Sequence, residues 1–251
     1  MIYPSLLQAR RNETKQLAVL IDPDKTNRSV ILQLCEMANQ GGVDYFLWGG
    51  SLVNETQAEY YISLLRAHTA IPIILFPGSI YQLSGHANAL LFLCMISGRN
   101  PELLIGQHVL AAPRIKRLNL EVIPTGYMYI DGGSRSSVGY MSNTQPIPAN
   151  KPEIARATAL AGKYLGHKLI YLDAGSGALN PVSAAMISGV RKEVEDLPLI
   201  VGGGIRSAEQ ASLALRAGAD CIVVGNSLEE NPEMLHELVA VVKHFQVQTH
   251  N

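Results

Sequence analysis

Short apolar runs recur along the chain, and between them lie longer stretches in which apolar residues return every three or four positions. Several runs carry no polar interruption, among them Pro72-Ile73-Ile74-Leu75, Leu90-Leu91-Phe92-Leu93, Pro198-Leu199-Ile200-Val201 and Cys221-Ile222-Val223-Val224. A strand covered on both faces reads this way, so the sheet is expected to be parallel, with helices packed outside it. Eight strands are predicted, at Leu17–Ile21, Tyr45–Trp48, Ile71–Phe76, Ala89–Met95, Glu121–Thr125, Lys168–Leu172, Leu199–Val201 and Cys221–Val224. The segments Arg28–Gln40, Glu55–Ala67, Pro152–Leu165, Pro181–Glu195 and Ala208–Ala217 read as amphipathic helices, the last stopped by Gly218 in a left-handed cap. Repeated βα units predict an α/β fold, a (β/α)8 TIM barrel forming one domain over residues 1–251, with a doubly wound sheet as the runner-up.

Two stretches break the rhythm. Ser97–Leu118 predicts a helix broken at Pro101 or Pro113, and residues 127–150 form a long loop rich in Gly, Ser, Asn and Pro. A loop of that length inside a compact domain is expected to be functional, here as a lid over a site.

Composition narrows the partners. With 251 residues, 47% of them hydrophobic and 16% charged, the chain has the material for one large core. A formal charge of −1 leaves no basic surplus for nucleic-acid phosphates, so no nucleic acid is expected. The start, Met1–Gln16, carries Arg10, Arg11, Glu13 and Lys15 where a secretory signal would be apolar, and no apolar run reaches the roughly 18 residues of a membrane span. A cytoplasmic protein is expected. Cys35, Cys94 and Cys221 are odd in number, far apart and set in apolar surroundings, as buried reduced thiols are. The seven histidines show no metal-ligand spacing.

The chemistry collects at strand ends, where a barrel builds its site. Strand seven runs into Gly202-Gly203-Gly204-Ile205-Arg206 and strand eight into Gly225-Asn226-Ser227. Glycines let a backbone approach an anion closely, and free amides in the loops supply donors, so these two ends predict a phosphate site. Strand six ends Tyr171-Leu172-Asp173-Ala174-Gly175-Ser176-Gly177. A carboxylate beside an anion site is electrostatically costly, and Asp173 is expected either to take a proton from a substrate hydroxyl or simply to cap the turn that follows. Strand one ends Asp22-Pro23-Asp24-Lys25 and strand two Gly49-Gly50-Ser51, whose oxygens are hard ligands suited to Mg2+. One of Asp22 and Asp24 is expected to cap the next helix, with Pro23 starting a turn. Trp48 reads equally well as a pocket wall or as core.

Taken in order, Leu20-Ile21-Asp22-Pro23-Asp24-Lys25, Gly49-Gly50-Ser51, Tyr171 to Gly177, Gly202-Gly203-Gly204-Ile205 and Val224-Gly225-Asn226 resemble the geranylgeranylglyceryl and heptaprenylglyceryl phosphate synthase family. The resemblance runs from about Leu17 to Val242. It implies a prenyltransferase that joins sn-glycerol 1-phosphate to geranylgeranyl diphosphate as an ether and releases diphosphate with Mg2+ present, a step in phospholipid biosynthesis. It further implies Asp22 and Ser51 as metal ligands, and Asp173 and Tyr171 as catalytic residues. Tyr171, Leu172, Asp173, Ala174, Gly175, Ser176, Gly177, Gly203, Gly204, Gly225 and Asn226 are implied as the glycerol phosphate site. The family often shows Glu where this chain has Asp173, which leaves open whether the carboxylate acts directly or through a water. Where this chain has Leu20 the family can carry Lys, so a diphosphate contact is either missing or supplied elsewhere.

The stretch Asp131–Tyr140 is expected to close over the diphosphate with Arg135 as its charge partner. A homo-oligomer and at most peripheral membrane contact are expected, the latter because a prenyl substrate is drawn from lipid. Alternatives are a longer prenyl donor, as in a heptaprenylglyceryl phosphate synthase, a sugar- or triose-phosphate isomerase or aldolase on the same barrel, and a phosphate-binding protein without catalysis. A Schiff-base aldolase would need a lysine on a barrel strand near the site, and Lys168 stands at the wrong end of strand six.

Overall fold

The computed structural model describes residues 1–54 and 57–248. Eight parallel strands close into a barrel in sequence order: β1 (Gln16–Ile21), β2 (Tyr45–Trp48), β3 (Ile73–Leu75), β4 (Ala89–Met95), β5 (Glu121–Tyr129), β6 (Leu169–Asp173), β7 (Leu199–Gly202) and β8 (Cys221–Val224). β1 pairs with β8, Gln16 opposite Cys221, and that pairing shuts the ring. The doubly wound alternative is thereby excluded.

Strand alternation sorts the side chains into two cores. Leu17, Val19 and Ile21 of β1 point outward to the helices, while Ala18 points into the barrel. The outer layer holds α2 (Arg28–Asn39), α3 (Ala58–His68), α4 (Gln107–Leu118), α6 (Pro152–Tyr164), α7 (Ala184–Val194), α8 (Ala208–Arg216) and α10 (Met234–Gln248), with the short α5 (Ser137–Ser142) and α9 (Asn226–Glu230) at the strand C-terminal end. The start predicted for α3, at Glu55, lies outside the described residues.

Before β1 the chain forms α1 (Ile2–Arg11), a helix absent from the sequence expectation. Its buried residues Ile2, Leu6 and Ala9 recur at helical spacing, and Ile2 and Leu6 join the core inside the barrel. Glu121, at the foot of β5, accepts the backbone N–H groups of Ile2 and Tyr3 at 2.5 and 2.8 Å. A carboxylate on the first-turn amides satisfies donors that no helical bond reaches and complements the positive end of the helix dipole. α1 therefore covers the end of the barrel opposite the strand C-termini.

Three expectations need correction. β5 continues to Tyr129, four residues past the predicted end, so the loop begins later than residue 127. β3 is shorter than Ile71–Phe76. Pro113 does not break α4; it is exposed, so the carbonyl it deprives of a partner stands on the wet side of the helix. The irregularity falls after Pro101 instead, as a π-helical turn at Glu102–Gly106. Trp48 is 1% exposed and part of the outer core, which decides its role as packing. The three cysteines are free thiols, with Cys35 and Cys221 buried. Among the described residues no helix is long and apolar enough to cross a membrane.

Candidate active site

At the C-terminal end of the strands a cavity of about 530 Å³ opens. Its floor is aromatic: the Phe76 ring stacks on Tyr171 with centroids 5.1 Å apart, and Tyr127 lies 5.7 Å from Tyr171. These rings face inward because β5 and β6 pair with Tyr127 opposite Tyr171 and Tyr129 opposite Asp173. The lining combines apolar side chains, among them Leu93, Leu103, Val138 and Met141, with the glycine-rich loops, and Leu20 of β1 lies beside Gly225 after β8.

Asp173 ends β6 opposite Gly202 and is buried. Its Oδ2 accepts the Tyr127 hydroxyl at 2.7 Å and its Oδ1 accepts the Gly175 N–H at 2.7 Å. Burial holds its carboxyl above the ordinary carboxylate range, and the two hydrogen bonds pull the other way. Asp173 thus caps the turn that follows it and also lines the cavity. Burial, together with the Asp173 charge, pushes the Tyr127 and Tyr171 hydroxyls well above the usual phenol range, so both stay protonated donors.

The loops after β6, β7 and β8 converge beside Asp173. Gly203 takes φ +82°, and a Cβ there would stand 2.7 Å from Asp173 Oδ1 and 2.8 Å from the Gly175 nitrogen. Only glycine lets β7 turn this close to the β6 loop. The Ser176 hydroxyl donates to Asn226 Oδ1 at 3.1 Å, tying the β6 loop to the β8 loop. Gly175, Ser176, Gly177, Gly203, Gly204, Gly225, Asn226, Tyr171 and Asp173 all line the cavity, as the sequence predicts. Leu172 and Ala174 do not. They alternate outward into the helix-facing core, and the Ala174 N–H donates to the Gly202 carbonyl in the sheet.

Across the mouth, Asp22 and Ser51 line the same cavity. Asp22 caps the 3-10 turn Pro23–Lys25 by accepting the Asp24 N–H, with Pro23 at the first position of the turn. Burial raises its carboxyl above the ordinary range. Asp24 turns aside and accepts the Asn54 N–H at 2.9 Å, which anchors the β2 loop. A Cβ at Gly50 would sit 3.4 Å from Asp22 Oδ1, so the glycine keeps open the space beside the carboxylate. One carboxylate and one hydroxyl, both hard oxygens, next to an open approach fit a Mg2+ ion that keeps most of its waters.

Sequence reasoning missed several lining residues. Gln82 donates to the Gly50 carbonyl at 2.9 Å and accepts the Gly50 and Gly78 N–H groups, clamping the β2 and β3 loops together. Tyr127, which the sequence places in the loop, lines the cavity as well, as do Lys25, Arg206 and Glu229, to which the sequence expectation gives no role. The long loop is also different from expectation. Its ends are pinned where Asp131 N–H donates to the Ile147 carbonyl and Ile147 N–H to the Tyr129 carbonyl, and its middle forms α5. α5 presents Val138 and Met141 to the cavity, whereas Arg135 is exposed and off the lining. The face that α5 turns to the cavity carries Ser137 and Ser142 beside Val138 and Met141 and no charged side chain.

The PcrB family matches residues 9–243. The chain belongs to the PcrB family. Two relatives bear the name geranylgeranylglyceryl phosphate synthase: one from Spirosoma linguale, 51% identical with 92% of each chain covered, and one from Chitinophaga pinensis, 50% identical over 96% of this chain and 95% of the relative. Among solved structures, (S)-3-O-geranylgeranylglyceryl phosphate synthase from Thermoplasma acidophilum, in complex with its substrate sn-glycerol-1-phosphate, superposes with a TM-score of 0.91. It is 33% identical, covering 97% of this chain and 99% of that one. PcrB family membership and this likeness agree with the barrel.

Proposed function

We propose that this cavity joins sn-glycerol 1-phosphate to geranylgeranyl diphosphate through an ether bond and releases diphosphate. The reading rests on one observation above the others: a buried carboxylate, Asp173, stands among the glycine loops of β6, β7 and β8 in a cavity that apolar side chains such as Leu93, Leu103, Val138 and Met141 also line. A sugar- or triose-phosphate enzyme has use for the first half of that arrangement only. The relatives named above, whose printed names carry this activity, support the same reading.

The glycine loops and Asn226 would bind the glycerol phosphate through its phosphate, leaving a free hydroxyl toward Asp173. The hydroxyl oxygen forms the new bond to C1 of the prenyl chain as the bond from C1 to the diphosphate oxygen breaks, and the hydroxyl proton passes to Asp173. Mg2+ held by Asp22 and Ser51 would neutralise charge growing on the departing diphosphate. Tyr127 and Tyr171, kept protonated, give the floor neutral donors, while Val138 and Met141 of α5 cover the prenyl side and exclude water.

Incubation of the protein with radiolabelled sn-glycerol 1-phosphate, Mg2+ and prenyl diphosphates of several lengths tests this. An apolar, ether-linked product with geranylgeranyl diphosphate, lost in EDTA, is expected. Absence of product with every donor would overturn the transferase reading, and better turnover with a longer donor would reassign the prenyl substrate.

A further inference from the structure

Lys25 closes the 3-10 turn that begins at Asp22, and its Nζ lies 3.8 Å from Asp22 Oδ2 and 3.8 Å from Glu229 Oε2. The ammonium thus bridges the β1 and β8 loops on the cavity wall. Both separations exceed hydrogen-bond range, so charge alone holds the ammonium, and at a partly exposed site such pairs are weak. Turning Lys25 elsewhere therefore costs little.

The lining carries three carboxylates, Asp22, Asp173 and Glu229, against two cations, Lys25 and Arg206. A site with that balance is unfavourable for a trianionic prenyl diphosphate, and a cation that Mg2+ displaces from Asp22 can turn onto the diphosphate and offset part of that cost. Of the two, Lys25 is the one that already shares the carboxylate proposed for the metal.

We infer that Lys25 is a diphosphate-binding residue that exchanges Asp22 for the substrate: the ammonium neutralises Asp22 until Mg2+ takes that carboxylate, and then turns onto the diphosphate. This rests on the transferase reading above and names a contact within it. Glu229 acts as the second tether, holding the ammonium at the mouth.

The exchange makes opposite-sign predictions, which a purely structural lysine does not. In Lys25→Met, Asp22 loses its competing cation, so Mn2+ alone, titrated by electron paramagnetic resonance, should bind about threefold more tightly. Inorganic pyrophosphate with Mg2+, titrated by calorimetry, should bind about tenfold or more weakly in the same variant, and sn-glycerol 1-phosphate within about twofold of the unmodified protein. In Glu229→Gln one anionic tether is gone and pyrophosphate should bind as tightly or more tightly. Unchanged pyrophosphate affinity in Lys25→Met, a joint loss of Mn2+ and pyrophosphate binding, or a loss of pyrophosphate binding in Glu229→Gln would each overturn the inference. An unmodified protein that makes no ether product would instead contradict the transferase reading, whichever way the titrations fall.

Discussion

The Tyr127 hydroxyl donates a 2.7 Å hydrogen bond to Asp173 Oδ2, and both groups are buried. The bond favours the ionised carboxylate that burial disfavours, so Tyr127 would set how readily Asp173 serves as the base proposed for it. Tyr127→Phe removes a stabiliser of the charge, and the Asp173 carboxyl rises further. The acid limb of kcat/KM is expected to move to higher pH, with a loss of about tenfold at a pH on that limb, since hydrogen bonds to charged groups contribute about 1.5–3 kcal/mol. A pH–rate profile checks this; an unmoved limb would detach Tyr127 from the chemistry.

Asp173→Asn removes the proposed proton acceptor, while its amide oxygen can still accept the Gly175 N–H that holds the β6 loop. Turnover is expected to fall by about 10²–10⁴-fold. Calorimetric binding of sn-glycerol 1-phosphate should survive, because the phosphate is assigned to backbone groups of β6, β7 and β8 loops. Retained turnover would remove Asp173 from the reaction.

Gly203→Ala tests the close approach of β7 to the β6 loop. A Cβ there meets Asp173 Oδ1 at 2.7 Å in a backbone conformation with φ +82°. Strain of this kind costs about 1–3 kcal/mol, and relief requires moving Asp173 or the turn at Gly175. The expected outcome is a lower denaturation midpoint together with a raised KM for glycerol phosphate. Unchanged values of both would show that the loops have slack.

Far from the site, Asp44 accepts the Leu17 N–H at 2.8 Å at the foot of β2, and burial pushes its carboxyl up to about 6. The folded chain then holds this proton more tightly than the unfolded chain does. Its stabilising contribution is full below the ordinary carboxylate range and is lost as pH rises through about 6. Asp44→Asn, whose amide oxygen still accepts the Leu17 N–H, should flatten this fall of about 1–3 kcal/mol between roughly pH 4 and 7. Urea unfolding at several pH values measures it, and an unchanged slope would mean that another group dominates the window.

The barrel was legible because parallel strands covered on both faces leave uninterrupted apolar runs, as at Cys221–Val224 and Leu199–Val201. It blurred at β5, where Tyr127 and Tyr129 bring hydroxyls into the barrel and Gly126 breaks the apolar run, so a strand resembled the start of a loop. Most of the site was legible for the related reason that glycines and carboxylates at strand ends break the apolar pattern. The error at Leu172 and Ala174 came from carrying a contiguous motif across a strand, although side chains alternate between faces. Partnerships across the chain were out of reach: nothing local in Glu121 announces that it caps α1, and nothing in Gln82 announces that it clamps Gly50. Nor does Lys25 show in isolation that Glu229 stands opposite it.

In the proposed reaction one cavity holds a glycerol phosphate by its phosphate and presents one hydroxyl to Asp173 and the prenyl carbon. The most direct test is ether formation from the two enantiomers, sn-glycerol 1-phosphate and sn-glycerol 3-phosphate, each with geranylgeranyl diphosphate and Mg2+. A chiral, buried arrangement predicts product from the sn-1 substrate and little or none from the sn-3 substrate. Equal product from both, or none from the sn-1 substrate, would contradict it.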